Sequence, residues 1–264
     1  MNKKTGGINM NDLFRLDGKK AIIIGGAGGI GQGIAQAFAF YGADVSIASR
    51  KMDSLIRAKE EIKEAIGADI SVYTVDAAKE ESIIALFDTV IADKGKIDIL
   101  VNSQGFNKKF SAVEFPVDVM TEMFEVNAIG VAMCCKHFGK HMKENGYGRI
   151  INISSVRGLR AINGGNLGYS ATKGALDMIT RTLATELGPE VTVNALAPAN
   201  TYTPMMKELF EKNPWLWNSA DDKPLKRIGK IEDCMGPAVF LASEAGAFLT
   251  GQIIYADGGL TAIG

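Results

Sequence analysis

Short apolar runs rich in β-branched residues alternate along this chain with longer stretches of helical period. The runs are 21–24, 45–48, 70–75, 97–102, 149–153, 191–196 and 252–255, and each has the length of a strand. Segments such as 33–41, 52–65 and 80–93 carry apolar residues at helical spacing between them. Strands alternating with helices imply parallel strands joined by right-handed crossovers, with helices on both faces of the sheet. Strands covered on both faces read as unbroken apolar runs, as these do. The expected fold class is therefore α/β: a three-layer, doubly wound parallel sheet. No internal repeat or proline-rich linker divides it, so residues 13–264 are read as one domain behind a loose polar tail, 1–12.

Composition narrows the functional classes. Lysine plus arginine (29) nearly balances aspartate plus glutamate (30), so neither nucleic acid nor an anionic membrane is an expected partner. No apolar run has the length of a membrane span, and no cleaved leader is expected. Cys134, Cys135 and Cys234 are expected to be reduced and buried, as in a cytoplasmic protein. Only His137 and His141 are present, without metal-ligand spacing, and no metal is expected. The segment 204–230 breaks the rhythm with Met205, Met206, Phe210, Pro214, Trp215 and Trp217. It follows a strand on the carboxyl side of the sheet, so it is read as a substrate lid rather than an ordinary helix pair.

The first strand runs into Gly25-Gly26-Ala27-Gly28-Gly29-Ile30-Gly31 and then a helix. Glycines allow the tight turn and let backbone N–H groups approach a pyrophosphate, and the helix amino terminus adds partial positive charge. Two registers fit, Gly26/Gly28/Gly31 and Gly25/Gly29/Gly31. The second strand ends at Ser49-Arg50-Lys51, where no acidic residue is present to accept from ribose hydroxyls. Arg50 suits a 2′-phosphate, with Lys51 as a second charge, so NADP is expected over NAD. Gly28 adds no basic group from the glycine loop.

Ser154-Ser155 follows the strand at 149–153, and Tyr169-Ser170-Ala171-Thr172-Lys173 opens a helix. Tyrosine and lysine at i and i+4 share one helix face. The ammonium is expected to lower the tyrosine pKa and make Tyr169 a general acid or base, with Ser155 holding the substrate oxygen.

These residues, with Asn102-Ser103-Gln104-Gly105, Asn127, Asn194-Ala195-Leu196-Ala197-Pro198 and Gly251-Gln252…Asp257-Gly258-Gly259, resemble the short-chain dehydrogenase/reductase family from about Leu13 to Gly259. The resemblance implies a Rossmann fold and a hydride transfer between NAD(P)(H) and a small hydroxyl or keto substrate. It implies that Tyr169 is the acid/base, that Lys173 tunes it and holds the nicotinamide ribose, and that Ser155 positions the carbonyl. Asn127 would anchor a proton-relay water. Cofactor contacts would come from Gly25, Gly28, Gly29, Ile30, Gly31, Ser49, Arg50, Lys51, Asp76, Ala77, Asn102, Gly105, Tyr169, Lys173, Pro198, Thr201 and Thr203. Asp76 would meet the adenine, and Thr203 with the Thr201 backbone the carboxamide. The family also implies a homotetramer, with which the small-residue and apolar face Ala132, Cys135, Ala171, Ala175 and Met178 is compatible, although a buried core would show the same pattern.

The sequence departs from the family pattern at Ile24, at Ser103-Gln104 and at Ala199, without losing a catalytic group. The serine-to-tyrosine spacing is a residue or so long, which keeps Ser154 as a reserve for Ser155. Within the family the chain is most similar to gluconate 5-dehydrogenase-like sugar-acid and polyol reductases. The similarity sits in segments such as Asn11-Asp12-Leu13-Phe14-Arg15 and Glu114-Phe115-Pro116. Lys108, Lys109 and Arg157 follow strand ends on the active-site side, and at least one is expected to pair with a substrate carboxylate. A 3-oxoacyl thioester reductase and a non-catalytic nucleotide sensor are the rival readings.

Overall fold

A computed structural model describes residues 12–203 and 207–263. Every expected strand forms: β1 (Lys20–Ile24), β2 (Asp44–Ser49), β3 (Ser71–Thr74), β4 (Ile99–Asn102), β5 (Gly148–Ile153), β6 (Val191–Pro198) and β7 (Ile253–Ala256). They build one parallel sheet in the order β3-β2-β1-β4-β5-β6-β7. The chain winds outward from β1 to β3, then crosses back to lay β4 against β1, pairing Ile24 with Asn102. That reversal opens a crevice at the carboxyl ends of β1 and β4, where ligands bind in such folds.

The helices are α1 (Gly29–Phe40), α2 (Met52–Ile66), α3 (Glu80–Lys94), α4 (Val117–Phe124), α5 (Gly130–Glu144), α6 (Leu167–Leu187), α7 (Lys207–Lys212) and α8 (Glu232–Ala242). Successive side chains of a strand point to opposite faces, and β1 shows the consequence. Ala21 and Ile23 join Ile34, Phe38, Ile47 and Leu241 in the core beneath α1, α2 and α8. Ile22 and Ile24 join Leu100, Val131, Phe138 and Leu176 beneath α3, α5 and α6. All of these side chains are buried, and each one larger than alanine contributes roughly 1.5–3 kcal/mol of hydrophobic stabilisation.

Cys135, expected to be buried and also counted on the apolar face offered for assembly, is fully buried in the core and accepts from Asn102 Nδ2 at 3.3 Å. Helix period alone could not separate the buried stripe of α5 from its outer one. In the 204–230 segment, α7 is followed by a 3₁₀ turn, Pro214–Ala220. Phe210 is buried, Trp217 stacks on Tyr202 at 5.5 Å, and Phe210 meets the Trp217 ring edge-on at 4.6 Å. Pro204, Met205 and Met206 lie outside the described residues.

Candidate active site

The glycine turn leaves β1 at the crevice, and its geometry chooses between the two registers. Gly25 and Gly29 take φ of +82° and +54°, a region that L side chains rarely adopt. A Cβ on Gly25 would lie 2.6 Å from the Gln104 nitrogen, and one on Gly31 would lie 2.5 Å from the Gly25 carbonyl oxygen. Gly28, in contrast, is extended (φ 174°) and faces open space. Gly26 is crowded too, with a Cβ there 2.7 Å from Ile47 Cγ2, so it is the open Gly28 that leaves Gly25/Gly29/Gly31 as the register whose every member needs glycine. α1 begins at Gly29 with no side-chain cap and no acidic residue in its first turn. Its free N–H groups and partial positive charge are suited to a pyrophosphate, so the residues present fit a dinucleotide.

The other expected cofactor residues surround this turn. Thr203 Cγ2 would lie 3.5 Å from a Cβ on Gly29, and Ile30 occupies the first turn of α1. Ser49 ends β2, and the Arg50 and Lys51 side chains beyond it are exposed, with no described residue paired to them. Asp76 and Ala77 follow β3. The Asp76 carboxylate accepts from the Ala78 nitrogen at 3.2 Å, and Ala77 is buried. Pro198 ends β6, Thr201 is buried and bridges to Gly229, and Ala199 occupies the family's glycine position without a positive φ.

The catalytic candidates converge where β4, β5 and α6 meet. Asn127 sits in a π-helical turn, Glu125–Ile129, between α4 and α5, a feature that recurs at functional sites. Its Oδ1 accepts from the Phe106 nitrogen at 3.0 Å, and its Nδ2 donates to the Phe106 carbonyl at 2.9 Å and to Thr172 Oγ1 at 3.2 Å. Both amide protons are thus committed. Gly105 brings its backbone against this group: a Cβ there would lie 3.1 Å from Asn127 Oδ1 and 3.7 Å from Lys173 Nζ. Asn102 Nδ2 donates to Asn152 Oδ1 at 2.9 Å, and Asn152 Nδ2 donates to Thr180 Oγ1 at 2.9 Å, tying β4 through β5 to α6.

The two serines after β5 have different partners. Ser154 is 2% exposed and donates to Asp177 Oδ1 at 2.5 Å. Ser155 Oγ accepts from the Arg157 nitrogen at 3.2 Å, and its hydroxyl draws the Tyr169 phenol's pKa downward. Ser155 is therefore the serine at the phenol, and Ser154 is a structural anchor.

Tyr169 and Lys173 share a face of α6, with Nζ 5.6 Å from the ring centroid. The expected lowering of the tyrosine pKa does not occur. Burial raises it, and Ser155 and Arg157 offset this only in part. Lys173 is itself buried, donates to the Ile153 carbonyl at 2.7 Å, and is pushed by burial down to about 8, with Asp177 opposing. An ammonium on the ring's flank, whose own charge is penalised, does little for a buried phenolate. Burial thus favours the protonated phenol.

Several supporting residues carried no signal in the sequence. Thr172 and Asp177 bind Asn127 and Ser154 from within α6, where hydroxyl and carboxylate groups read as ordinary helix surface. Gly130 opens α5 so close to the Ala77 carbonyl that a Cβ would lie 1.9 Å away. Its place beside the Asn127 turn was the one hint available.

A switch-point crevice with a glycine cradle, beside a Ser-Tyr-Lys cluster, defines a nicotinamide-dependent oxidoreductase. A family model described as enoyl-(acyl carrier protein) reductase matches residues 25–261. Gluconate 5-dehydrogenase of Gluconobacter oxydans (strain 621H) is 34% identical over 254 residues, covering 95% of this chain and 97% of that protein. The 3-oxoacyl-(acyl-carrier-protein) reductase of Chlamydia muridarum is 32% identical, covering 95% and 100%. A solved gluconate 5-dehydrogenase from Burkholderia cenocepacia J2315, in complex with NADP and tartrate, superposes with a TM-score of 0.89 at 32% identity, covering 96% and 99%. The chain belongs to the short-chain dehydrogenase/reductase family. It is an NAD(P)-dependent oxidoreductase acting on CH–OH groups.

Proposed function

We propose that this enzyme interconverts a small hydroxy and keto substrate of the sugar-acid or polyol class, with NADP(H) preferred over NAD(H). The observation that carries the reading is the convergence of the Ser155 hydroxyl, the Tyr169 phenol and the Lys173 ammonium at the carboxyl end of β5. The gluconate 5-dehydrogenase relative and the neighbour holding NADP and tartrate support the substrate class.

The bound nicotinamide supplies or accepts the hydride at the substrate carbon. In reduction, Tyr169 passes its phenolic proton to the oxygen that becomes the hydroxyl, while Ser155 holds that oxygen. Burial favours the protonated phenol, the state this direction needs. Lys173 sits between the Tyr169 ring and the Ile153 carbonyl, where it can reload the phenol and hold the ribose. Asn127, through the π turn, positions the proton relay; its amide protons are spent on Phe106 and Thr172, so a relay water would meet the Asn127 backbone. Arg50 and Lys51, exposed and unpaired among the described residues, suit the 2′-phosphate. We also read the 204–230 segment as a lid and the assembly as a homotetramer. The exposed Val117, Ile129 and Met178 supply apolar surface for it, and light scattering that finds a stable monomer would remove that assignment. Three free, buried cysteines suit the cytoplasm.

The test is initial velocity with NADPH against NADH on 5-ketogluconate and a panel of ketoses. NADPH-dependent reduction lost in Tyr169→Phe is expected. Activity confined to 3-oxoacyl thioesters would refute the substrate class, and no turnover despite tight NADPH binding would refute the catalytic reading.

A further inference from the structure

Three cations follow strand ends near the active site, and their surroundings differ. Lys108 Nζ is 2.7 Å from Glu122 Oε2, so its charge is already paired. Lys109 lines a 980 Å³ cavity with Ser170 and Ala171, and that lining includes none of Ser155, Tyr169 or Lys173.

Arg157 stands apart. Its backbone N–H is the donor that holds Ser155 Oγ at 3.2 Å, so it belongs to the same 3₁₀ turn, Val156–Gly158, that presents the catalytic serine. That turn is pressed onto α6: a Cβ on Gly158 would lie 2.6 Å from Asp177 Oδ2 and 3.0 Å from the Lys173 carbonyl oxygen. The side chain is half-buried, and its one described hydrogen bond is a long one, Nη1 to the Arg160 carbonyl at 3.4 Å. No carboxylate among the described residues lies within ion-pair distance of it. A guanidinium has five donors, and most of these remain unused on a group partly removed from water.

The neighbouring charges do not supply a counterion. Arg157 acts electrostatically on the Tyr169 phenol and on Lys223. Lys223 is 3% exposed, and its ammonium donates to the Ser219 carbonyl at the end of the Pro214–Ala220 turn. Asp222 and Asp257 act on Lys223. Asp257 is itself committed to the Gly259 and Thr261 nitrogens and the Thr261 hydroxyl. Arg160 adds further positive charge and is tied to the Leu260 carbonyl. Arg157 thus acts on the Tyr169 phenol with the like charge of Arg160 beside it and no carboxylate of the described residues paired to it. An unpaired, half-buried cation is costly unless its counterion arrives with a ligand.

We propose that Arg157 is the substrate-carboxylate residue of this enzyme, so that the substrate is a keto sugar acid rather than a neutral ketose or polyol. This rests on the reaction assigned above and adds its substrate class. A carboxylate taken in bidentate fashion by Arg157, on the turn that carries Ser155, would orient the carbonyl toward the serine and tyrosine hydroxyls.

The experiment compares wild type, Arg157→Gln and Arg157→Lys on 5-ketogluconate and on a neutral ketose of equal chain length at saturating NADPH. NADPH binding is followed by fluorescence to verify the fold and the cofactor site. Arg157→Gln is expected to raise KM for the acid about 10- to 100-fold, the loss typical of a charged hydrogen-bond pair, a larger factor than its effect on kcat. KM for the neutral ketose should rise by a clearly smaller factor than KM for the acid, and Arg157→Lys should recover part of the loss. Calorimetry of D-gluconate binding to the NADPH complex should show the same weakening. An unchanged KM for the acid in Arg157→Gln would overturn the assignment and leave the reaction class standing. Wild-type turnover of neutral ketoses alone would also overturn it. Loss of all wild-type carbonyl reduction would instead refute the reaction class.

Discussion

Ser154 and Ser155 are adjacent and chemically identical, yet the structure predicts opposite consequences for replacing them. Ser154→Ala removes the 2.5 Å hydrogen bond to Asp177 Oδ1 and leaves a carboxylate oxygen in a buried setting without its donor. A hydrogen bond to a charged group is worth about 1.5–3 kcal/mol. At about 2–4 °C per kcal/mol for a chain near this size, the midpoint of thermal unfolding should fall by roughly 3–12 °C. The Ser154 hydroxyl bonds to Asp177 rather than to Tyr169, so kcat of the surviving folded enzyme should change less than about threefold. Ser155→Ala loses the 3.2 Å contact from the Arg157 nitrogen and the hydroxyl's interaction with the Tyr169 phenol, at about 0.5–1.5 kcal/mol each. It also deletes the donor at the substrate oxygen, and kcat should fall about 10²- to 10³-fold, as for a lost oxyanion donor. Differential scanning calorimetry and steady-state kinetics on the two variants read both effects. A catalytic loss in Ser154→Ala at unchanged melting temperature, with Ser155→Ala active, would falsify the assignment.

Three further outcomes follow from the same geometry. Lys173 is pushed down to about 8 in the folded state from an ordinary 10.5, so folding penalises its ammonium form. Chemical denaturation should show wild type gaining stability relative to Lys173→Met as pH rises from about 8 toward 10.5, by about 3 kcal/mol at about 1.4 kcal/mol per pH unit; a flat difference would contradict that burial. Gly31→Ala forces a Cβ to 2.5 Å from the Gly25 carbonyl, whereas Gly28→Ala points into open space. Without cofactor, the first should lose about 1–3 kcal/mol and the second should melt within about 1 °C of wild type. Arg50→Ala should raise KM for NADPH about tenfold or more and leave KM for NADH unchanged; equal effects on both would rule out a 2′-phosphate contact.

Much of the fold was legible because it depends on local pattern. Two-sided burial makes each strand an unbroken apolar run, and β1 to β7 formed where those runs lie. Spacing of four residues places Tyr169 and Lys173 on one helix face in any α-helix, so their adjacency needed no tertiary information. Other features depend on what lies opposite. Cys135 and Met178 both read as apolar helix positions, but only the packing against Asn102 shows that Cys135 is core, while Met178 is exposed. The glycine register was open because seven residues with five glycines satisfy two spacings. It closes only when Gln104 is seen to crowd Gly25 while Gly28 faces open space.

The sequence by itself determined the layered α/β architecture, the nucleotide cradle and the Ser-Tyr-Lys chemistry, since each is written in contiguous residues whose local geometry is nearly obligatory. Tertiary structure decided between Ser155 and its reserve Ser154, how burial shifts Tyr169, and which of three cations acts on the phenol. Those outcomes depend on burial and on side chains far apart in the chain. Asp177 lies 23 positions beyond Ser154, and desolvation of Lys173 and Tyr169 arises from the packing of α6 against β5, which no local spacing encodes.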